Sequence, residues 1–333
     1  MQRAPDLFLA IKAAVDKKRK PGQFLLTGSA NVMLIPKVAD SLAGRIEILT
    51  LWPFSQGEIH KKRETFIDAL FTGRNIPKSS KEMPEKQLWD MVVGGSYPEA
   101  ISRTRPDRKI AWFRSYISSI LQRDIKDLSY IDGLTVLPDI LQLIAARSTN
   151  LLNFADLSRA LQIPQTSLKR YITLLESTFL VNRIQPWSGN LSSRLTKAAK
   201  IHLNDTGLLS YLLDINSKRL EKDHTLAGQV FETFVVNELL KQSTWSQTQP
   251  KLYHFRTNIG KEVDIVLEDS RGRCVGIEVK TSALVTAKDI AGLRFFQENL
   301  KEKFIRGIVL YTGKDSIPFQ KSIHAMPVSS LWS

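Results

Sequence analysis

The sequence predicts a multidomain α/β protein, and three observations predict it. Its 333 residues exceed what one ordinary core organises. Short apolar runs of strand type alternate with helical patterns near both ends of the chain. Between them lies a long stretch with helical period and a three-helix signature. A hydrophobic fraction of 43% and a charged fraction of 24% suit a folded, soluble chain.

The elements follow in order. In the first helix Leu7, Ile11, Ala14 and Val15 share a face, and "KKRK" followed by "PG" ends it. "QFLLTGSA" reads as a short strand covered on both faces. A helix with Val32, Leu34 and Ile35 comes next, then "GRIEILTLWPFS" as a second buried strand. Helix, strand, helix, strand suggests a parallel sheet with only two visible strands, fewer than such sheets normally hold. Residues 60–135 read as helical around the loop "VGGSYPEA", with "AWFRSYISSILQRDIKDL" as the strongest helix. Residues 136–213 then give three helices, the second capped by Asn153, and a basic hairpin-like excursion. That order describes a winged helix. Residues 220–333 open with an amphipathic helix, "LAGQVFETFVVNELLKQ", and continue in an α-β-β-β-α-β order.

Net charge is +14 and the isoelectric point about 9.8, which favours a polyanionic partner and equally fits a plain basic protein. One cysteine, Cys274, rules out an internal disulfide framework and suits a reducing compartment. No apolar run approaches the roughly 18 residues of a membrane span, and the N-terminus has no signal-peptide pattern. The expected location is cytoplasmic, with no membrane partner.

The hairpin "GKEVDIVLEDSRGRCVGIEVKTS" carries the densest chemistry. Strand alternation assigns residues 262, 264, 266, 276, 278 and 280 to one face, and Val263, Ile265, Leu267, Val275, Ile277 and Val279 to a buried face. With "DSRGR" as the loop, Asp264 opposes Glu278 and Glu262 opposes Lys280. Opposed carboxylates repel unless a proton or a cation intervenes. Mg²⁺ prefers such oxygen ligands, and a nearby lysine can orient or activate a water for attack on a phosphodiester. A solvated hairpin with a Glu262–Lys280 pair is the plainer alternative.

Asp264, the tripeptide Glu278-Val279-Lys280 and the helical acid Glu232 together resemble the PD-(D/E)xK nuclease core, over residues 226–313. The resemblance implies a restriction-endonuclease-like α/β domain. It implies catalytic Asp264, Glu278 and Lys280, and Mg²⁺ held by Asp264 and Glu278 with Glu232. Glu262 is additional, either a further ligand or a partner of Lys280. Domains of this type are also retained for binding alone.

"QFLLTGSANVMLIPKVADSLAGRIEILTLWPFSQGEI" and "VGGSYPEA…YISSILQRDIKDLSYI" resemble a prokaryotic family of AAA-type, P-loop ATPases. Its C-terminal part is a domain of unknown function numbered forty-one forty-three. The likeness implies an ATPase core over 1–59, a helical lid over 60–135, a winged helix over 136–213 and the nuclease-like domain over 220–333. It also implies nucleotide sensing by Thr27, Ser29 and Arg45. The chain contains no G-x-x-x-x-G-K-[ST], and the family's strand-end acids precede "QRAPDLF". The sequence therefore reads as an N-terminally truncated member. ATP belongs to full-length relatives and is not expected as a cofactor here. The two remaining strands should expose an apolar edge unless a partner or a second copy covers it.

From Ser177 to Asn204 the chain has no acid but carries Arg183, Arg194, Lys197 and Lys200, with Lys169 and Arg170 on the preceding helix. These six are the candidate DNA contacts, acting on the phosphate backbone. Trp187 could stack on a base or anchor the hairpin.

Overall fold

The computed structural model describes residues 6–31, 42, 44–72, 76, 83–125 and 134–333. Helix α1 (Asp6–Lys17) buries Phe8 and Ile11 against Leu42, with Val15, Leu26 and Ile46 alongside. The buried stripe is thus Phe8–Ile11–Val15, rotated from the expected one, and Leu7 and Ala14 are exposed. The expected helix at Val32, Leu34 and Ile35 lies outside the described residues.

The two expected N-terminal strands are a correction. Residues 24–28 and 46–52 form neither helix nor strand and join no ladder, and Leu25, Leu49 and Leu51 are 89%, 83% and 97% exposed. An apolar run becomes a buried strand only when neighbours take its N–H and C=O groups and cover both faces. Among the described residues α1 covers one side, through Leu26 and Ile46, and nothing completes the ladder.

The helical middle comprises α2 (Gln56–Ile59), α3 (Phe66–Thr72), α4 (Glu85–Gly94), α5 (Pro98–Ile101) and α6 (Pro106–Ser119). Helix α6 starts on a proline, where no N–H is needed, and runs into a π-turn at Ile120–Asp124. The rest of that predicted helix, after Ile125, lies outside the described residues. Helices α7 (Leu137–Ala146), α8 (Phe154–Leu161) and α9 (Gln165–Ser177) follow as the sequence indicates. Asn153 caps α8 by accepting from Asp156 N at 3.1 Å.

Strands β1 (Val181–Pro186) and β2 (Lys200–Leu203) form the expected antiparallel hairpin around α10 (Leu191–Thr196). The hairpin is not a free wing. After α11 (Thr206–Leu212), α12 (Ser217–Lys222) and α13 (His224–Ser243), strand β3 (Lys251–Arg256) pairs parallel with β1. Strands β4 (Glu262–Glu268), β5 (Cys274–Lys280), β6 (Phe304–Tyr311), β7 (Ile317–Pro318) and β8 (Ile323–Pro327) extend one mixed sheet, ordered β2-β1-β3-β4-β5-β6-β8-β7. Helix α14 (Ala291–Leu300) crosses between β5 and β6.

The sheet is covered on both faces. Ile265, Leu267, Val275, Ile277, Ile308 and Leu310 join α13 in a core that reaches from Phe66 to Trp332. Val266, Val309, Tyr311 and Ile323 join Leu293 and Phe296 of α14 in a second cluster. Helix α13 was expected to be amphipathic, yet every residue from Thr233 to Leu239 is buried. Two turns buried all round mark a helix enclosed by other elements rather than a surface helix.

Candidate functional site

The β4–β5 ladder pairs Ile265 with Ile277 and Leu267 with Val275, the register in which Asp264 approaches Glu278. Strict alternation fails one residue earlier. Tyr253 pairs with Val266 but Phe255 with Val263, so β4 carries an extra residue in a bulge against β3. Val263 therefore packs with Val266 beneath α14, while Ile265 faces α13. Bulges re-aim side chains beside functional sites. Here Asp264 Oδ2 accepts from Val279 N at 2.9 Å, replacing a ladder bond with a side-chain bond.

Five acids and bases meet at this bulge. Helix α13 supplies Glu232, β4 supplies Glu262 and Asp264, and β5 supplies Glu278 and Lys280. A sixth group comes from β2. Lys200, 3% exposed, places Nζ 2.8 Å from Glu232 Oε1, 2.8 Å from Glu262 Oε1 and 3.8 Å from Asp264 Oδ1. On the other side of Asp264, Lys280 Nζ lies 3.1 Å from Glu278 Oε2. Glu262 is thus paired with Lys200 and, at 3.6 Å, with the half-exposed Arg256, not with Lys280.

Burial pushes the Glu278 carboxyl well above the ordinary glutamate range; Asp264 beside it adds to the rise and Lys280 opposes it. Glu232 is also raised, first by burial and then by Asp264, against the pull of Lys200. Burial alone lowers Lys200, but Glu232, Asp264 and Glu262 outweigh it and keep the ammonium charged. Four carboxylates face two lysines, and the surplus negative charge they would carry if all were ionised is relieved by the protons that Glu278 and Glu232 tend to keep.

The sequence reading did not bring Lys200 or Gly292 to this cluster. Lys200 was expected to contact DNA, although the argument applied to Lys280, a lysine in a buried strand, applies equally to "AAKIHL". Gly292 in α14 is the other. A Cβ there would lie 1.9 Å from Glu262 O and 2.8 Å from Glu278 Oε1, so only glycine lets the helix approach both site strands.

The six candidate DNA contacts divide. Lys169, Arg170 and Lys197 are exposed, with Lys169 5.5 Å from the Phe154 ring. Arg183 is half-buried against Glu176, its Nε 2.5 Å from Oε1. Arg194 and Lys200 are corrections, since neither lies on an open basic surface. Arg194 forks onto Glu268, with Nη2 to Oε1 at 2.9 Å, and lies over the rings of Trp187 and Tyr253. Trp187 anchors the hairpin, its ring 5.1 Å from Phe296. These groups turn inward because β1 joins the sheet, so the hairpin's basic residues meet acids of β4.

The nucleotide-sensing candidates are apart from this site. Thr27 and Ser29 are exposed, outside any helix or strand. Arg45 Nε donates to Asp16 Oδ1 at 2.7 Å, tying "LAGR" to α1.

A second charged network lies further along α13. Lys241 Nζ donates to Glu238 Oε1 at 2.7 Å, Phe54 O at 2.9 Å and Ser96 Oγ at 2.9 Å. Glu238 Oε2 accepts from Gln56 N at 2.8 Å. Ser96 N and Oγ donate to Asp205, whose other oxygen caps α11 at Leu208 N. Gly95 (φ 70°) passes so close that a Cβ would lie 2.5 Å from Asp205 Oδ1. "PFSQGE" and "GGS" are therefore clamped to α13 and α11.

Among the described residues no three His, Cys, Asp or Glu side chains converge as a ready metal shell. Mg²⁺ commonly takes only one or two carboxylates and retains waters. Asp264 and Glu278, an oxygen-only pair, match that donor chemistry once Glu278 gives up its proton. Glu232 and Glu262 are engaged by Lys200.

Comparison with known proteins finds three family matches along the chain. Residues 1–60 match the AAA domain, residues 85–219 a domain of unknown function (DUF8612), and residues 227–331 a domain of unknown function (DUF4143). The first and last matches support an AAA-type ATPase family that carries DUF4143 at its C-terminus. Uncharacterized proteins of Mycobacterium tuberculosis and Mycobacterium bovis are each 28% identical over 330 residues, spanning 99% of this chain and 67% of theirs. No solved structure matches. Among the described residues no helix is long and apolar enough to cross a membrane.

Proposed function

We propose that this AAA-family chain carries a metal-dependent phosphodiester hydrolase site at Asp264, Glu278 and Lys280. The observation that supports it is the pairing of half-buried Asp264 with buried Glu278 beside Lys280, held at a bulge where strand pairing gives way to side-chain bonding. Asp264 and Glu278 would hold one Mg²⁺, which supplies Lewis acidity at a phosphoryl oxygen. Lys280 orients the attacking water, whose oxygen bonds to phosphorus as the leaving oxygen departs. Arg256 on β3 and Lys261 just before β4 adjoin the site strand and suit a phosphate backbone.

A second reading is a non-catalytic module that binds DNA or protein. It is favoured by Lys200, which already neutralises part of the acid set without a metal. Millimolar Mn²⁺ should raise the melting temperature, and the protein should cut at least one of single-stranded, duplex or branched DNA. Lys280→Ala should keep the thermal shift and lose cleavage. No shift and no cleavage in the unaltered chain would leave the binding module. For that module, Lys169→Ala, Arg170→Ala and Lys197→Ala together should weaken duplex binding equally for all sequences and reduce its salt dependence.

A further inference from the structure

We infer that Lys200 fills, with its own ammonium, the position a second dication would take, so that the site accepts one metal ion. This rests on the reading that Asp264 and Glu278 take a dication. Asp264 stands between two halves of the site. Its Oδ1 faces Lys200 Nζ at 3.8 Å, and its Oδ2 faces β5 through Val279 N at 2.9 Å. In two-metal phosphodiester sites the ions lie about 3.5–4 Å apart and clamp the attacking and leaving oxygens. Here one half of such an arrangement is already supplied with a cation, 2.8 Å from carboxylate oxygens of Glu232 and Glu262.

Charge agrees with this assignment. Counted with all four carboxylates ionised, they exceed Lys200 and Lys280 by two charges, that of one dication. Arg256, 3.6 Å from Glu262 and half exposed, is screened by solvent and counts for less. Geometry fixes the ammonium as well. Lys200 opens β2, opposite Ile184 of β1, and also pairs with Leu151 beside α8. A residue of the three-helix unit therefore completes a site whose acids belong to the C-terminal unit. Lys200 is a positioning residue that holds Glu232 and Glu262 away from metal.

The test is to count Mn²⁺ bound per chain by calorimetry and by the electron paramagnetic resonance of free Mn²⁺. The unaltered chain should bind one ion, and Lys200→Met should bind two, because the ammonium's position is then open to metal. If Lys200→Met is unfolded alone, Mn²⁺ should restore its circular dichroism. Two ions in the unaltered chain, one or none in folded Lys200→Met, or an unfolded variant that Mn²⁺ does not restore would each overturn the inference. No Mn²⁺ bound by the unaltered chain would instead overturn the metal site on which the inference rests.

Discussion

Helix α13 carries two buried acid–lysine arrangements about two turns apart, and they are built on opposite principles. At Glu238 and Lys241 the accounts of charge and hydrogen bonding both close. All three ammonium hydrogens find acceptors, and both carboxylate oxygens find donors. At Glu232 and Lys200 they do not close, because Glu262, Asp264 and Glu278 add carboxylates that only Lys280 and a half-exposed Arg256 offset. A buried polar network that is fully satisfied rigidifies a fold, whereas one with surplus charge needs a proton or an ion. The difference separates a structural clamp from a site, although both use the same residue types on the same helix.

Breaking the clamp should have the largest effect. Lys241→Met leaves Glu238 uncompensated and removes donors from Phe54 O and Ser96, so it should cost about 3–5 kcal/mol in urea denaturation. A loss below that of Lys200→Met would reverse the contrast, because Lys241→Met also strips donors from Phe54 O and Ser96, whereas the Glu232 set can take up protons or metal.

Glu64 belongs to the clamp and gives it a pH dependence. It accepts from Ser55 Oγ at 2.6 Å and Gly57 N at 2.9 Å, and burial pushes its carboxyl up to about 7 from 4.5. Between those values the folded state keeps a proton that the unfolded chain has lost. Stability contributed by neutral Glu64 is therefore full below about pH 4.5 and lost as pH rises through about 7, a total of about 3 kcal/mol. Glu64→Gln should flatten that part of the stability–pH curve. An unchanged slope would assign it to the hairpin acids instead.

Gly292→Ala sharpens the comparison from the other side. Its Cβ would meet Glu262 O at 1.9 Å, so α14 must shift, at a cost of about 1–3 kcal/mol by calorimetry. Because the same atom would press on Glu278 Oε1, the variant should also lose the Mn²⁺ thermal shift. Gly228→Ala, where a Cβ meets nothing within 4 Å, is the matched control and should lose neither.

The smallest stability change belongs to the site itself. Asp264→Asn removes one of two neighbouring acids, so the metal-free protein should be as stable or up to about 1 kcal/mol more stable. The Mn²⁺ shift should vanish. A destabilisation like that of Lys241→Met would show that the hairpin acids are a second clamp.

The sequence by itself determined much of this molecule. Helical periodicity placed α7, α8 and α9, with Asn153 as a cap, because local spacing and a local hydrogen bond are enough to start a helix. The loop "DSRGR" and the alternation around it set the β4–β5 register, since a short hairpin loop leaves little freedom. Acids and a lysine in apolar strands marked Asp264, Glu278 and Lys280. Long-range packing decided the rest. The pairing of β1 with β3 turned Arg194 and Lys200 inward, and no local pattern encodes which distant strand will be a neighbour. A one-residue bulge moved Val263 to the other face, which alternation alone cannot register. "QFLLTGSA" and "GRIEILTLW" carry strand-like composition but no strand, because a strand is a property of its partners as much as of its own residues.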